Sequence, residues 1–338
     1  MNYVLTCSLS FFISLFVAFS VSRLGKRFGL IDNPNERSSH SIATPRGGGV
    51  GIWISFIVIG FLLIDQEYRL LIFVVGCIGL LGLINDRCEI SSKLRLLFQL
   101  ILSATIVVVY ANISFFAHPP SILINLLFFL FFVIFISGTA NFYNFMDGIN
   151  GIAGLTGVAG FGLMAAFSFY IADDKSITIL SLILLSACLG FLPLNFPNAR
   201  VFMGDVGSLL LGFIFASFVV KLSSDIGIFL CLIMFLCTFY ADAVMTIYHR
   251  WRMSENLMKA HRSHLYQYMT NELGLPHWKV SVLYLIVQLV TGLLSIWAYK
   301  SGVSWQIIII MIYSALFVIT YKWVKCLKPF KRGILENS

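Results

Sequence analysis

Apolar stretches of about the length that crosses a bilayer, near 20 residues, recur along this chain of 338 residues. They fall at roughly 3–22, 47–64, 68–84, 94–112, 121–140, 151–171, 177–193, 204–221, 226–247, 278–298 and 303–322. In hydrocarbon each backbone N–H and C=O must be satisfied within its own segment, so such runs fold as helices. The expected fold is therefore an all-α polytopic membrane protein of about eleven transmembrane helices, a single integral-membrane domain over 1–338. With 59% hydrophobic and 11% charged residues there is too little polar surface to clothe a soluble domain. The first run lacks a basic n-region and a small-residue cleavage site, and reads as a retained helix.

Basic residues orient the helices. Only Arg69, Lys175, Lys221 and Lys300 fall in the loops after even-numbered runs; the other 19 of the 23 Lys and Arg lie after odd-numbered runs or in the C-terminal tail. That bias places the odd loops and the C-terminus in the cytoplasm and the N-terminus outside. It also accounts for the net charge of +8 without nucleic acid as a partner. The seven cysteines lie singly, in or beside apolar runs and with no Cys-x-x-Cys pair, which argues against disulfides and a zinc site.

The two faces differ in chemistry. The outer loops are short, while the inner loops hold most of the Asn, His, Arg and Gly clusters, so any active site is expected in the cytoplasmic loops. Asp205, in the stretch Asn195–Ser208, sits at the mouth of an apolar run. An ionisable group there is costly and suggests function, although Asp205 with Ser208 also suits a helix cap. Gly47–Gly49 beside Arg46 can admit an anion to the backbone, or can pack helices closely. Asp86, facing Lys93 and Arg95 across a short turn, reads either as a loop ion pair or as part of a phosphate and metal site.

Asn144 and Asp147, three apart, would share a helix face that Asn150 or Gly151 continues. Oxygen ligands on one face suit a hard cation such as Mg²⁺. In the last inner loop His261, Arg262 and His264 suit a nucleotide or phosphate, or else anionic headgroups. Asp242 precedes that loop. Carboxylates to hold a metal, with cations to offset charge at phosphorus, are what phosphoryl transfer requires.

The stretches Asp32–Gly49, Gly82–Arg95, Asn144–Gly151, Asn195–Ser208 and His261–Gln267 resemble the polyprenyl-phosphate N-acetylhexosamine-1-phosphate transferase superfamily, glycosyltransferase family 4. The string His261-Arg262-Ser263-His264-Leu265-Tyr266-Gln267 is similar to the branch that starts O-antigen and related polysaccharides. The resemblance implies a multi-pass enzyme of the bacterial cytoplasmic membrane. Such an enzyme moves a sugar 1-phosphate from a UDP-N-acetylhexosamine to undecaprenyl phosphate and releases UMP, with Mg²⁺ (or Mn²⁺ in its place) as cofactor. Membrane lipids surround it, and a homodimer is compatible with it.

Carried over by motif, Asp205 is a metal ligand with Asn144 and Asp147 beside it, and Asp86 and Asp147 are catalytic, Asp86 deprotonating or orienting the lipid phosphate. Arg46, Lys93, Asn150, His261, Arg262 and His264 are the implied substrate-binding residues. The chain departs from the family pattern at Asn85 and Asn150, where Asp is usual or frequent. Two other readings compete. A secondary carrier would place its charges near the bilayer midplane, not at helix ends. An inactive lipid-phosphate-binding scaffold would accommodate Asn85 and Asn150.

Overall fold

The computed structural model describes residues 2–34, 42–88, 90–111, 122–256 and 262–327. It is all-helical apart from a two-stranded antiparallel ribbon, β1 (Ile31–Asp32) against β2 (Thr44–Pro45), with Ile31 opposite Pro45 and Asp32 opposite Thr44. The helices run α1 (Tyr3–Leu24), α2 (Val50–Leu63), α3 (Arg69–Cys88), α4 (Ser92–Tyr110), α5 (Ile122–Phe145), α6 (Ile152–Tyr170), α7 (Lys175–Asn195) and α8 (Asp205–Leu222). There follow α9 (Ile226–Ile233), α10 (Cys237–Arg252), a short α11 (Leu265–Asn271), α12 (His277–Ser301) and α13 (Val303–Cys326).

Each of the eleven apolar runs is helical, but they do not all have spanning length. Among the described residues ten helical segments are long and apolar enough to cross a membrane, and α2, with 14 residues, is not one of them. At 1.5 Å per residue α2 is about 21 Å long, short of the ~30 Å hydrocarbon core. The run from 226 is one such segment, formed by α9 and α10 joined through a 3₁₀ turn at Met234–Leu236.

The core sits on α8, whose side chains are buried from Val206 to Val220 and again at Leu222. A helix buried all round has no amphipathic stripe, which is why its apolar run is continuous. Close contact with its neighbours comes from missing side chains: a Cβ on Gly82 of α3 would meet the α8 backbone at Asp205 and Val206, and one on Gly212 of α8 would meet α5 at Thr139.

At the end of the bundle away from Asp205, aspartates start the helices. Asp174 caps α7 by accepting the Ile177 N–H at 2.9 Å, and Asp225 caps α9 by accepting the Ile228 N–H at 2.9 Å. Tyr68 donates its hydroxyl to Asp174, and Lys221 pairs with Glu67 at 2.7 Å while lying over the Tyr68 and Tyr110 rings. That end is a fastening. The other end holds the polar loops.

Candidate active site

The polar end is built around the first turn of α8. Its four leading N–H groups need acceptors, and one supplier is another helix: Asp86, in the last turn of α3, accepts from Asp205 N at 3.0 Å and Val206 N at 3.1 Å. Asp205 is therefore not its own helix's cap. It is the first helical residue, after Gly204 at φ 77°. A Cβ on Gly204 would collide with the Asp86 carboxylate and the Gly47 N–H, so this crossing requires glycine twice over.

Relieved of capping, the Asp205 carboxylate turns outward. Oδ1 accepts from Asn144 Nδ2 at 2.8 Å; Oδ2 accepts from Asn85 Nδ2 at 2.7 Å and from Arg95 Nη1 at 2.8 Å. Asn144 also donates to Ser208 at 2.9 Å, and Asn85 accepts the Ile90 N–H at 2.8 Å. Asn85 thus uses both ends of its amide, one of them as a donor that an aspartate would lack.

The glycine run packs. Gly48 N donates to Phe202 O at 2.8 Å, Gly49 N to Met203 O at 2.9 Å, and a Cβ on Gly49 would overlap the Gly207 backbone. Of the two readings of Gly47–Gly49, close helix packing is the one the contacts support. Arg46 beside it points into the site: its Nε is buried without a hydrogen-bond partner among the described residues, 4.0 Å from Asp86 Oδ1.

Helix α5 ends at Phe145, so Asn144 lies in its last turn while Asp147 and Asn150 belong to the following loop. This corrects the expectation that the three share a helical face. The loop is held by its neighbours: Asn195 accepts the Gly151 N–H at 2.8 Å, Ser281 donates to Asn150 O at 2.8 Å, and Tyr266 donates to Phe145 O at 2.9 Å. Asn150 itself donates through Nδ2 to Pro197 O at 3.3 Å and through its backbone to His277 Nδ1 at 3.4 Å.

These groups surround one polar cavity of about 250 Å³. Asp86, Asn144, Asp147, Asn150 and Asp205 line it, together with Arg46. Gln267, His277, Asn195, Ser208 and Asp32 line it as well; the sequence singled out none of them as a site residue, and Ser208 only as part of a helix cap. Gln267 had a signal, since it closes the string that begins at His261. His277 had none.

The Asp147 carboxylate accepts no hydrogen bond among the described residues. Burial pushes its pKa well up from the ordinary carboxylate range, and the charges of Asp205 and Asp86 push it further. A half-buried, unpartnered carboxylate beside two others, with an amide at hand, is a hard-oxygen donor set, and it fits Mg²⁺ or Mn²⁺. Among the described residues no three His, Cys, Asp or Glu form a closed cage. The fit is to an open site, of the kind that Mg²⁺ shares with water and substrate phosphates.

The remaining expected residues fall elsewhere. Lys93 is exposed and lines no part of the cavity, and Arg95 is the cation that reaches Asp205. His264 is a correction: it is 2% exposed and turned away, its Nδ1 3.3 Å from Asp242 Oδ1. Asp242 is fully buried and also accepts from Leu265 N, Tyr266 N and the Tyr284 hydroxyl, so it anchors the start of α11 and, through it, Tyr266 and Gln267. Arg262 is exposed and outside the cavity lining; His261 lies outside the described residues.

Fold and site together define an integral membrane protein with a carboxylate-lined polar cavity at one end of a helical bundle. The family model described as glycosyl transferase family 4 matches residues 68–223, a span holding Asp86, Asn144, Asp147 and Asp205. The chain is 31% identical over 278 residues to the phospho-N-acetylmuramoyl-pentapeptide-transferase of Staphylococcus epidermidis, a match covering 75% of this chain and 84% of that relative. The enzyme of the same description from Staphylococcus aureus is 30% identical over the same spans. A probable undecaprenyl-phosphate N-acetylglucosaminyl 1-phosphate transferase of Bacillus subtilis is 29% identical over 201 residues, 57% of this chain and 55% of that protein. This chain belongs to glycosyl transferase family 4.

Proposed function

We propose that the chain transfers a sugar 1-phosphate, that of an N-acetylated hexosamine, from a UDP-sugar to undecaprenyl phosphate, releasing UMP. The product, a polyprenyl-pyrophosphoryl-sugar, would start O-antigen or another cell-envelope polysaccharide. The observation that carries this reading is the convergence of Asp86, Asp147 and Asp205 with Asn144 and Arg46 on one cavity. Family membership and the names of the relatives supply the substrate classes.

Asp205, Asp147 and Asn144 would hold Mg²⁺, which when bound supplies charge to offset the pyrophosphate and the transferring phosphorus. Arg46 brings an N–H with no hydrogen-bond partner among the described residues to the same space, suited to a phosphate oxygen. Asp86 carries two backbone N–H groups and keeps lone pairs for an approaching donor. A phosphate monoester is already mostly ionised at pH 7, with its second pKa near 6, so orientation of the lipid phosphate is the task left to Asp86. The lipid tail would lie in hydrocarbon; an apolar recess of about 520 Å³ lined by Phe135, Gly138 and Phe142 opens beside the α5 turn that carries Asn144.

The basic bias of the odd loops supports a cytoplasmic site and a periplasmic N-terminus, while the bacterial relatives support placement in a bacterial inner membrane. The resemblance of the string His261–Gln267 supports a polysaccharide-initiating sugar, while the S. epidermidis relative keeps the muramoyl-pentapeptide donor as a second reading. Membranes containing the protein, given undecaprenyl phosphate and UDP-sugars singly, should release UMP only with Mg²⁺ and a UDP-N-acetylhexosamine. Release from the UDP-muramoyl-pentapeptide alone would establish the second reading. No release from any donor would favour the carrier or scaffold.

A further inference from the structure

We propose that the recess between the ends of α1 and α7 is a binding site for an anionic phospholipid headgroup of the cytoplasmic leaflet, separate from the catalytic cavity. The recess, about 320 Å³, is lined by Phe19, Ser22, Arg23, Leu194 and Arg200. It shares no lining residue with the cavity that holds Asp205.

The two arginines come from different parts of the chain and face one space. Arg23 sits in the last turn of α1, which is apolar before it, so its guanidinium lies where a spanning helix leaves the hydrocarbon. It lies 5.4 Å from the centre of the Phe19 ring. Arg200 ends the turn after α7, and that turn is pinned: Arg200 N donates to Leu194 O at 2.8 Å, and Val201 N to the same carbonyl at 3.3 Å. Neither guanidinium forms an ion pair with a carboxylate of the described residues.

An arginine pair without carboxylates, set in a groove between spanning helices with Phe19 and Leu194 as apolar walls, matches a phosphodiester above acyl chains. Basic loop residues in general need only face the cytoplasm. Two converging on one recess, one held over a ring and one by its backbone, is a more specific arrangement. The headgroup would also bridge α1 to the turn that leads into Val201–Asp205, and so steady the approach to α8.

The test is lipid retention by the whole protein, read without reference to turnover. Protein reconstituted in nanodiscs of phosphatidylglycerol, cardiolipin and phosphatidylcholine, with undecaprenyl phosphate added, is released into the gas phase, and lipids bound per protein are counted by native mass spectrometry. Wild type should retain phosphatidylglycerol or cardiolipin over phosphatidylcholine. Arg23→Gln/Arg200→Gln should lose that preference by about tenfold or more, with Arg27→Gln as an exposed basic control that keeps it. Equal retention by the double variant and wild type would overturn the site. So would a double variant that keeps its phospholipids but loses bound undecaprenyl phosphate, since the recess would then serve the acceptor. Because the readout is bound lipid, the result stands whether or not UMP release is found.

Discussion

Asp86 caps the helix that Asp205 begins: one carboxylate on α3 accepts both the Asp205 and the Val206 N–H across the bundle. The hydrogen bonds that join the two aspartates therefore run through the backbone of one and the carboxylate of the other. Asp86 fixes where α8 starts, and the start of α8 fixes where the Asp205 carboxylate points.

Substitution should separate the two roles. In Asp86→Asn only one amide oxygen remains to accept, and the charge that complements the helix N-terminus is lost. We expect a cost of about 1 kcal/mol in stability together with loss of turnover. Asp205→Asn leaves the Asp86 cap intact, so it should lose turnover with a smaller thermal shift. Melting curves of the two purified variants check this; equal destabilisation by both would contradict the division of labour.

Magnesium should stabilise the fold through the same carboxylates. A cation bound only by the folded state adds about 2.7 kcal/mol at a hundred times its Kd, so the wild-type Tm should climb with Mg²⁺. Asp147→Asn and Asp205→Asn should flatten that climb. The Asp147 pKa is raised by burial and by its two acidic neighbours. Protons therefore compete with the cation for this carboxylate more strongly than at an ordinary aspartate, and Mg²⁺ stabilisation should weaken as the pH falls. A Tm response unchanged in both variants would remove the metal assignment.

The helices were legible because hydrocarbon demands continuous apolar runs, and all eleven runs are helical. Whether a run spans was less legible, since α2 extends the count but not the reach. The site was legible as residue types at loop positions: Asp86, Arg46, Asn144, Asp147, Asn150 and Asp205 do meet. Pairings between distant segments were not. Spacing could not tell that Asp86 caps α8, that Arg95 and not Lys93 reaches Asp205, or that His264 turns inward to Asp242. Each depends on which helix lies beside which, a relation that period and hydropathy do not encode. His277 opens a spanning helix and carries no motif at all.

Asn85→Asp restores the acidic pair usual in the family, and the contacts around Asn85 argue against tolerance. Asn85 donates to Asp205 Oδ2 at 2.7 Å. An aspartate there loses the donor and sets two negative charges at hydrogen-bond distance, with Arg95 the cation of the described residues that reaches them. Like charges raise each other's pKa, so the folded variant should take up protons more readily than the unfolded chain. Its stability deficit should be full at neutral pH and shrink as the pH falls, and Mg²⁺ should reduce it as well. Melting the variant between pH 5 and 8, with and without Mg²⁺, checks the sign; a deficit independent of both would place the cause outside this charge pair.

Gln267 offers the sharpest contrast between stability and use of substrate. It lines the cavity, and its carbonyl oxygen is buried with no hydrogen-bond partner among the described residues. A buried amide left unsatisfied costs roughly 1–3 kcal/mol, so Gln267→Met, of similar length and without the amide, should melt at or above the wild-type temperature. If the amide serves the sugar of the donor, the same variant should raise KM for the UDP-sugar by about tenfold, the worth of one hydrogen bond. KM for undecaprenyl phosphate should stay unchanged. A residue kept for packing alone would give the opposite pattern, with lower stability and unaltered donor KM. Steady-state kinetics with each substrate varied in turn, set beside the melting curve, distinguish the two. A Gln267→Met enzyme less stable than wild type yet unchanged toward the donor would take Gln267 out of the recognition site.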